Sequence, residues 1–216
     1  MTQATLSPPG FRNVAELLHQ LGDIPADRVR LVPSPGHATE QDLLKPDARL
    51  CELIEGVLVE KAMGALESML AVELILSLAA FVKQHRLGII LGADGMLRLM
   101  PGRVRIPDIS FLSWDRLGGK PPSDPIPALA PDLTVEILSP SNTEAEMTRK
   151  LREYFESGVR LAWLIDPRTR SARIYTSPVS MATLDEGQDL EGGEVLPGFA
   201  LPLRDLFECL DRGRDG

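Results

Sequence analysis

The chain has 216 residues, 44% hydrophobic and 25% charged, the balance of a soluble globular protein long enough to bury a sizeable core. With 31 acids against 23 bases its net charge is −8, which excludes a protein that coats nucleic acid by overall basicity but not an enzyme whose site charge is local. Two distant cysteines, Cys51 and Cys209, give no disulfide framework and suit a reducing cytoplasm.

Met1 to Gly10 lacks the basic and apolar regions of a signal peptide. Val14, Leu17, Leu18 and Leu21 then fall at helical spacing and predict a short helix over residues 12–21. Pro25, Pro33, Pro35 and Gly36 make the next stretch an irregular connection, and Thr39 can cap a helical turn up to Leu44. Residues 1–45 read as a peripheral extension, and residues 46–216 as one domain. Two apolar runs, Cys51–Ile54 and Val57–Glu60, flank Glu55-Gly56 and predict a hairpin, since glycine supplies the positive φ of a tight turn.

The longest helix is expected over Ala65–His85. Within it Glu67 shares a face with Leu70, Ala71, Leu74, Leu78 and Phe81. The longest apolar stretch, Met69–Val82, is broken by Glu73 and Ser77, so no membrane span is expected. Gly88–Leu91, Met96–Met100 and Arg103–Phe111 read as successive strands. Lys120–Pro131, with five prolines, reads as an extended loop. A strand over Leu133–Leu138 ends at Ser139-Pro140-Ser141-Asn142, and Asn142 or Thr143 can cap a helix that stops near Gly158. Leu161–Ile165 and Ala172–Tyr175 are further strands, and Leu203–Leu210 a terminal helix. This mixture predicts a single α/β (α+β) domain around a mixed sheet.

Three acids stand out by their settings. Glu67 opens the long helix, Asp108 ends the basic run Arg103–Asp108, and Glu136 sits inside the apolar strand Leu133–Leu138. A carboxylate in such surroundings needs a partner. Alternation puts Thr134, Glu136 and Leu138 on one side of their strand, with Val135 and Ile137 on the other. If the strands carrying Asp108 and Glu136 are neighbours, their charges can be relieved by a shared cation, and an oxygen-only site suits Mg²⁺ or Mn²⁺. Each residue also has a simpler account. Asp108 can bond backbone amides at a strand end, and Glu136 can pair with a buried arginine. Glu67 is favoured by the helix dipole, and Lys150 is spaced to pair with Glu146 on the surface. His19, His37 and His85 show no metal-ligand spacing, and Ser139-Pro140-Ser141 lacks the glycine frame of a nucleophile elbow.

Three segments, Glu52-Leu53-Ile54-Glu55-Gly56-Val57-Leu58-Val59, Arg105-Ile106-Pro107-Asp108-Ile109-Ser110-Phe111 and Ala130-Pro131-Asp132-Leu133-Thr134-Val135-Glu136-Ile137-Leu138-Ser139-Pro140-Ser141, are followed by Lys150 with Tyr154, Gly158-Val159 and Trp163-Leu164-Ile165-Asp166-Pro167. In this order they resemble the Uma-two endonuclease family of the PD-(D/E)XK nuclease superfamily. The resemblance covers about Leu50 to Tyr175. It implies a restriction-endonuclease-like mixed sheet flanked by helices and a metal-dependent endonuclease acting on DNA, and it allows a homodimer. It assigns Asp108 and Glu136 as Mg²⁺ or Mn²⁺ ligands with Glu67 assisting. The superfamily's lysine, two residues after the second acid, is replaced here by Leu138, which leaves Lys150 on the adjoining helix as the catalytic candidate. Where many Uma-two chains carry a histidine, this one has Gly64-Ala65-Leu66-Glu67-Ser68. The alternatives are a catalytically silent nuclease-like interaction or DNA-binding module, and a hydrolase of small phosphate compounds.

Overall fold

The computed structural model describes residues 10–48, 50–62 and 64–211. Its helices are α1 (Val14–Gln20), α2 (Glu40–Leu43), α3 (Ala65–His85), α4 (Trp114–Leu117), α5 (Glu144–Ser157) and α6 (Leu203–Phe207). Its strands are β1 (Cys51–Ile54), β2 (Val57–Glu60), β3 (Gly88–Leu91), β4 (Leu97–Met100), β5 (Arg103–Arg105), β6 (Ile109–Ser113), β7 (Leu133–Ile137), β8 (Leu161–Asp166), β9 (Ser171–Tyr175), β10 (Met181–Leu184), β11 (Asp189–Glu191) and β12 (Ala200–Pro202). They form a four-stranded sheet ordered β2-β1-β5-β4, a six-stranded sheet ordered β10-β9-β8-β7-β6-β3 and a two-stranded ribbon of β11 and β12. Among the described residues only β7 and β8 pair in parallel, joined by α5 as the crossover that such pairing demands. A mixed sheet flanked by helices is the expected architecture.

The central strands β6, β7 and β8 of the six-stranded sheet are buried on both faces. Val135 and Ile137 on β7 pack with Leu70, Leu74 and Leu78 of α3. Leu138, just past the strand, packs with Met147 and Leu151 of α5. The two-residue alternation expected for this strand therefore holds, and Glu136 belongs to the α5 side. Helix α3 buries the predicted stripe of Leu70, Ala71, Leu74 and Leu78, with Val82 extending it. By length and composition α3 could cross a membrane, with a mean hydropathy of 2.0 over its most apolar window. Here it is a core helix that leaves Leu66, Met69, Val72 and Leu76 exposed on its outer face.

The run Arg103–Phe111 is not one strand. It divides at Ile106-Pro107-Asp108 into β5, which pairs with β1 and β4, and β6, which pairs with β3 and β7. Proline has no N–H to give a ladder, so the chain leaves one sheet there and enters the other. The same three residues thus form the seam between the two sheets.

The N-terminal segment packs closely against the hairpin. Leu17, Leu21, Ile24 and Val29 cluster with Ile54, Val57 and Val59, and Arg30 donates its amide to Leu58 at 2.9 Å. Thr39 caps α2 reciprocally with Asp42, whose Oδ2 accepts from the Thr39 amide at 2.7 Å and its hydroxyl at 2.8 Å. In the hairpin turn Glu55 and Gly56 both take positive φ, 50° and 79°, the combination a two-residue turn requires. The Gly56 carbonyl accepts from the amides of Gly36 and Ala38, and a Cβ at Gly56 would stand 2.5 Å from the Gly36 carbonyl oxygen. Gly56→Ala should therefore lower stability by about 1–3 kcal/mol. Urea unfolding checks this, and an unchanged midpoint would refute the tight approach.

Candidate active site

Antiparallel pairing of β6 and β7 sets Ile109 opposite Val135 and Ser110 opposite Thr134. One step further, that register puts Asp108 opposite Glu136. Asp108 sits at the seam after Pro107, where its Oδ2 accepts from the Ile137 amide at 2.6 Å and its Oδ1 lies 2.8 Å from Lys61 Nζ. Glu136 reaches towards α5. Its Oε2 accepts from Lys150 Nζ at 3.1 Å, and its Oε1 accepts from the Tyr154 hydroxyl. All four oxygens of the two acids thus carry a protein donor. Lys150 and Tyr154 lie one turn apart on a helix, so both address the same carboxylate.

The helix follows from its sequence. Thr143 caps it through Oγ1, which accepts from the Glu146 amide at 3.0 Å, and Gly158 ends it in the left-handed region at φ 101°. Glu146, Met147, Lys150, Leu151, Glu153 and Tyr154 are buried along it. Their spacing turns three charged groups inward among the apolar ones.

Those charges are partnered in alternation. Lys150 lies 3.5 Å from Glu52 as well as 3.1 Å from Glu136. Glu52 bonds Arg105 at 2.7 Å and accepts from the Ile106 amide at 3.1 Å. Arg105 also donates to Glu153 at 2.7 Å, and Glu153 takes Arg103 at 3.1 Å and Arg149 at 2.8 Å. Glu146 is held separately by Arg28, in a two-pronged bond of 2.8 and 3.0 Å.

The electrostatics follow from this order. Burial pushes the Glu136 carboxyl above its ordinary range, and the charges of Asp108 and Glu52 push the same way against Lys150 and Lys61. Burial would do the same to Glu52, but Lys150, Arg105 and the Ile106 amide outweigh it and hold that carboxyl at about 2. Burial alone would lower the Lys150 pKa, yet Glu136, Glu52 and Glu146 raise it, so the ammonium is charged at neutral pH. Tyr154 is pushed well up by burial and by Glu136, and stays a phenol.

The structure thus brings Asp108, Glu136 and Lys150 together. Lys150 is buried against Glu136 instead of pairing with Glu146 on the surface, and the buried partner of Glu136 is a lysine rather than an arginine. The amide-bonding account of Asp108 is also realised, in its contact with Ile137. Glu67 stands apart. It lies in the first turn of α3 with its carboxylate folded over Gly64, where an added Cβ would lie 2.1 Å from Oε2. Glu67 and Asp108 line a cleft of about 160 Å³ together with Ala62, Ser68 and Ala93. Among the described residues no three His, Cys, Asp or Glu side chains converge as a ready metal site. Hard carboxylate oxygens under mutual repulsion fit Mg²⁺ or Mn²⁺ in kind, and Asp108 and Glu136 are the pair that provides them.

Two participants escaped the sequence reading. Glu52 lies in an apolar strand, as Glu136 does, and the same burial argument would have found it. Lys61 follows a strand end with no local signal. The basic clusters are largely absorbed by acids, Arg98 by Glu40, Arg168 by Asp166 and Arg173 by Glu144.

A family model described as Uma2, "Putative restriction endonuclease", matches residues 39–204. The chain belongs to the Uma2 family. A solved structure described as a putative nuclease belonging to DUF820, from Anabaena variabilis, is similar with a TM-score of 0.66 and 25% identity, over 74% of this chain and 90% of that one. No curated protein matched. The Uma2 match spans α2 to the start of α6, and so the whole alternation from Glu136 through Lys150, Glu52 and Arg105 to Glu153.

Arg105 holds the centre of that series. Replacing it by leucine leaves Glu52 and Glu153 buried without their guanidinium, and Arg105→Leu should cost about 3–5 kcal/mol in urea unfolding. A loss below about 1 kcal/mol would show that the series does not support the fold. Acid should act on the same groups. A carboxyl depressed in the folded state stabilises above its ordinary value of 4.5 and loses that contribution as pH falls towards about 2. Glu146 and Glu153 are also shifted down, against Glu136 shifted up. Unfolding free energy should therefore fall between about pH 5 and about pH 3, and a flat profile there would contradict the assignment.

Proposed function

We propose that this Uma2 chain is a cytoplasmic endonuclease that hydrolyses phosphodiester bonds in DNA with Mg²⁺ or Mn²⁺, working as a homodimer. The observation that carries the reading is Lys150 on Glu136, beside Asp108, in a chain of this family. The lysine absent at Leu138 is supplied from α5 at the acid where it is needed.

Asp108 and Glu136 would hold the cation, which when bound polarises a phosphoryl oxygen and acidifies a water. The protein's own groups do the rest. The Ile137 amide and the Tyr154 hydroxyl fix one oxygen of each acid, and the other is held by Lys61 on Asp108 and by Lys150 on Glu136. Lys150 stays charged and positions the attacking water while countering the negative charge that grows on the phosphate. Glu67, which lines the same cleft as Asp108, assists. Both cysteines are buried thiols rather than a disulfide, in keeping with a reducing compartment. A silent nuclease-like binding module is the second reading, and the occupation of all four carboxylate oxygens by protein donors favours it.

The test is cleavage of supercoiled plasmid and of single-stranded DNA with Mg²⁺ or Mn²⁺. Asp108→Ala, Glu136→Ala and Lys150→Met should each lose activity on the order of 10²-fold or more. Cutting that survives in all three would place the chemistry elsewhere, and a folded wild type that never cuts would leave the silent module.

A further inference from the structure

Lys61 is the residue of this site that no motif assigned. It directly follows β2, and its amide donates to the Leu50 carbonyl at 2.9 Å, so its backbone is fixed beside the hairpin. Its side chain is 3% exposed, although lysine is among the residues least often buried. The ammonium lies 2.8 Å from Asp108 Oδ1 and 3.4 Å from the Ala93 carbonyl. Asp108 and Ala93 both line the cleft that Glu67 faces. A positive charge therefore stands at the acid wall of the cleft, on the one oxygen of Asp108 that the Ile137 amide does not take.

Packing does not require a charge there, since a methionine fills similar space at no desolvation cost. What the ammonium supplies is neutralisation. A hard cation binding Asp108 needs that same oxygen, and two positive charges cannot both sit within contact of it without strong repulsion. On the reading of Asp108 as a metal ligand, we infer that Lys61 is a resident counter-cation that competes with the divalent ion for Asp108. It holds the carboxylate in an ion pair when no metal is bound, and it weakens metal binding by having to be displaced. Lys61 is thus a positioning residue that sets the metal concentration at which the site fills.

The test is calorimetric titration of the full chain with Mn²⁺, comparing wild type, Lys61→Met and the double variant Lys61→Met with Asp108→Asn. Lys61→Met should bind Mn²⁺ about tenfold more tightly than wild type or better, and the double variant should lose that gain. Equal or weaker binding by Lys61→Met, or a gain that survives loss of the Asp108 charge, overturns the inference. If Lys61→Met does not fold, Lys61→Gln serves, and the wild type gives a second reading. In chain labelled with ¹³C-lysine, Mg²⁺ should shift the Lys61 Cε resonance, and no shift at saturating Mg²⁺ counts against the inference. The outcome is separable from that of the cleavage assay. Metal-dependent cutting with no affinity change in Lys61→Met sinks the counter-cation and spares the nuclease. Tighter Mn²⁺ binding through Asp108 without cutting does the reverse.

Discussion

A carboxylate placed in the middle of a buried strand is tolerated only when opposite charge meets it with good geometry. Glu136 is met by Lys150, Lys150 by Glu52, Glu52 by Arg105 and Arg105 by Glu153. The series crosses from the six-stranded sheet through α5 to the four-stranded sheet, so it ties the three elements on which the site depends. None of its members could be buried alone. Apolar packing brings α3 and α5 against the sheet, but this alternation sets which turn of α5 lies over which residue of β7.

The arrangement also divides the labour between the two acids. Glu136 is held from the helix side by Lys150 and Tyr154, within the packed interior. Asp108 is held from the hairpin side by Lys61 and opens on the cleft shared with Glu67. One acid is thus rigidly framed while the other borders solvent-sized space. That distribution suits the nuclease reading proposed above, in which one acid is held in place and the other is reached from the cleft.

Much of this was legible in the residues. Helix α3, the hairpin and the strand–helix unit of β7 and α5 are marked by periodicity, by Glu55-Gly56 and by Thr143 with Gly158, all local signals. Asp108 and Glu136 stood out because each is a carboxylate where apolar or turn residues are expected. Pro107 carried the information that the strand over Arg103–Phe111 must break, but a proline alone does not say which sheet receives the chain. The ion pairs were not legible. Arg28 and Glu146 are 118 positions apart, and Lys61 and Asp108 come from separate sheets' neighbourhoods, so only the folded topology brings them into register. Lys150 was readable as a candidate, but its burial was not, because one turn of helix offers a surface partner in Glu146 as readily as an interior one in Glu136.

The seam at Ile106-Pro107-Asp108 has a wider meaning. Since β5 and β6 are consecutive pieces of one chain, the sheets meet at a joint three residues long, and one of those residues is the acid itself. At this joint the way the two sheets meet bears directly on the Asp108–Ile137 contact. The seating of a single carboxylate and the junction of two sheets are, in this architecture, one piece of covalent geometry.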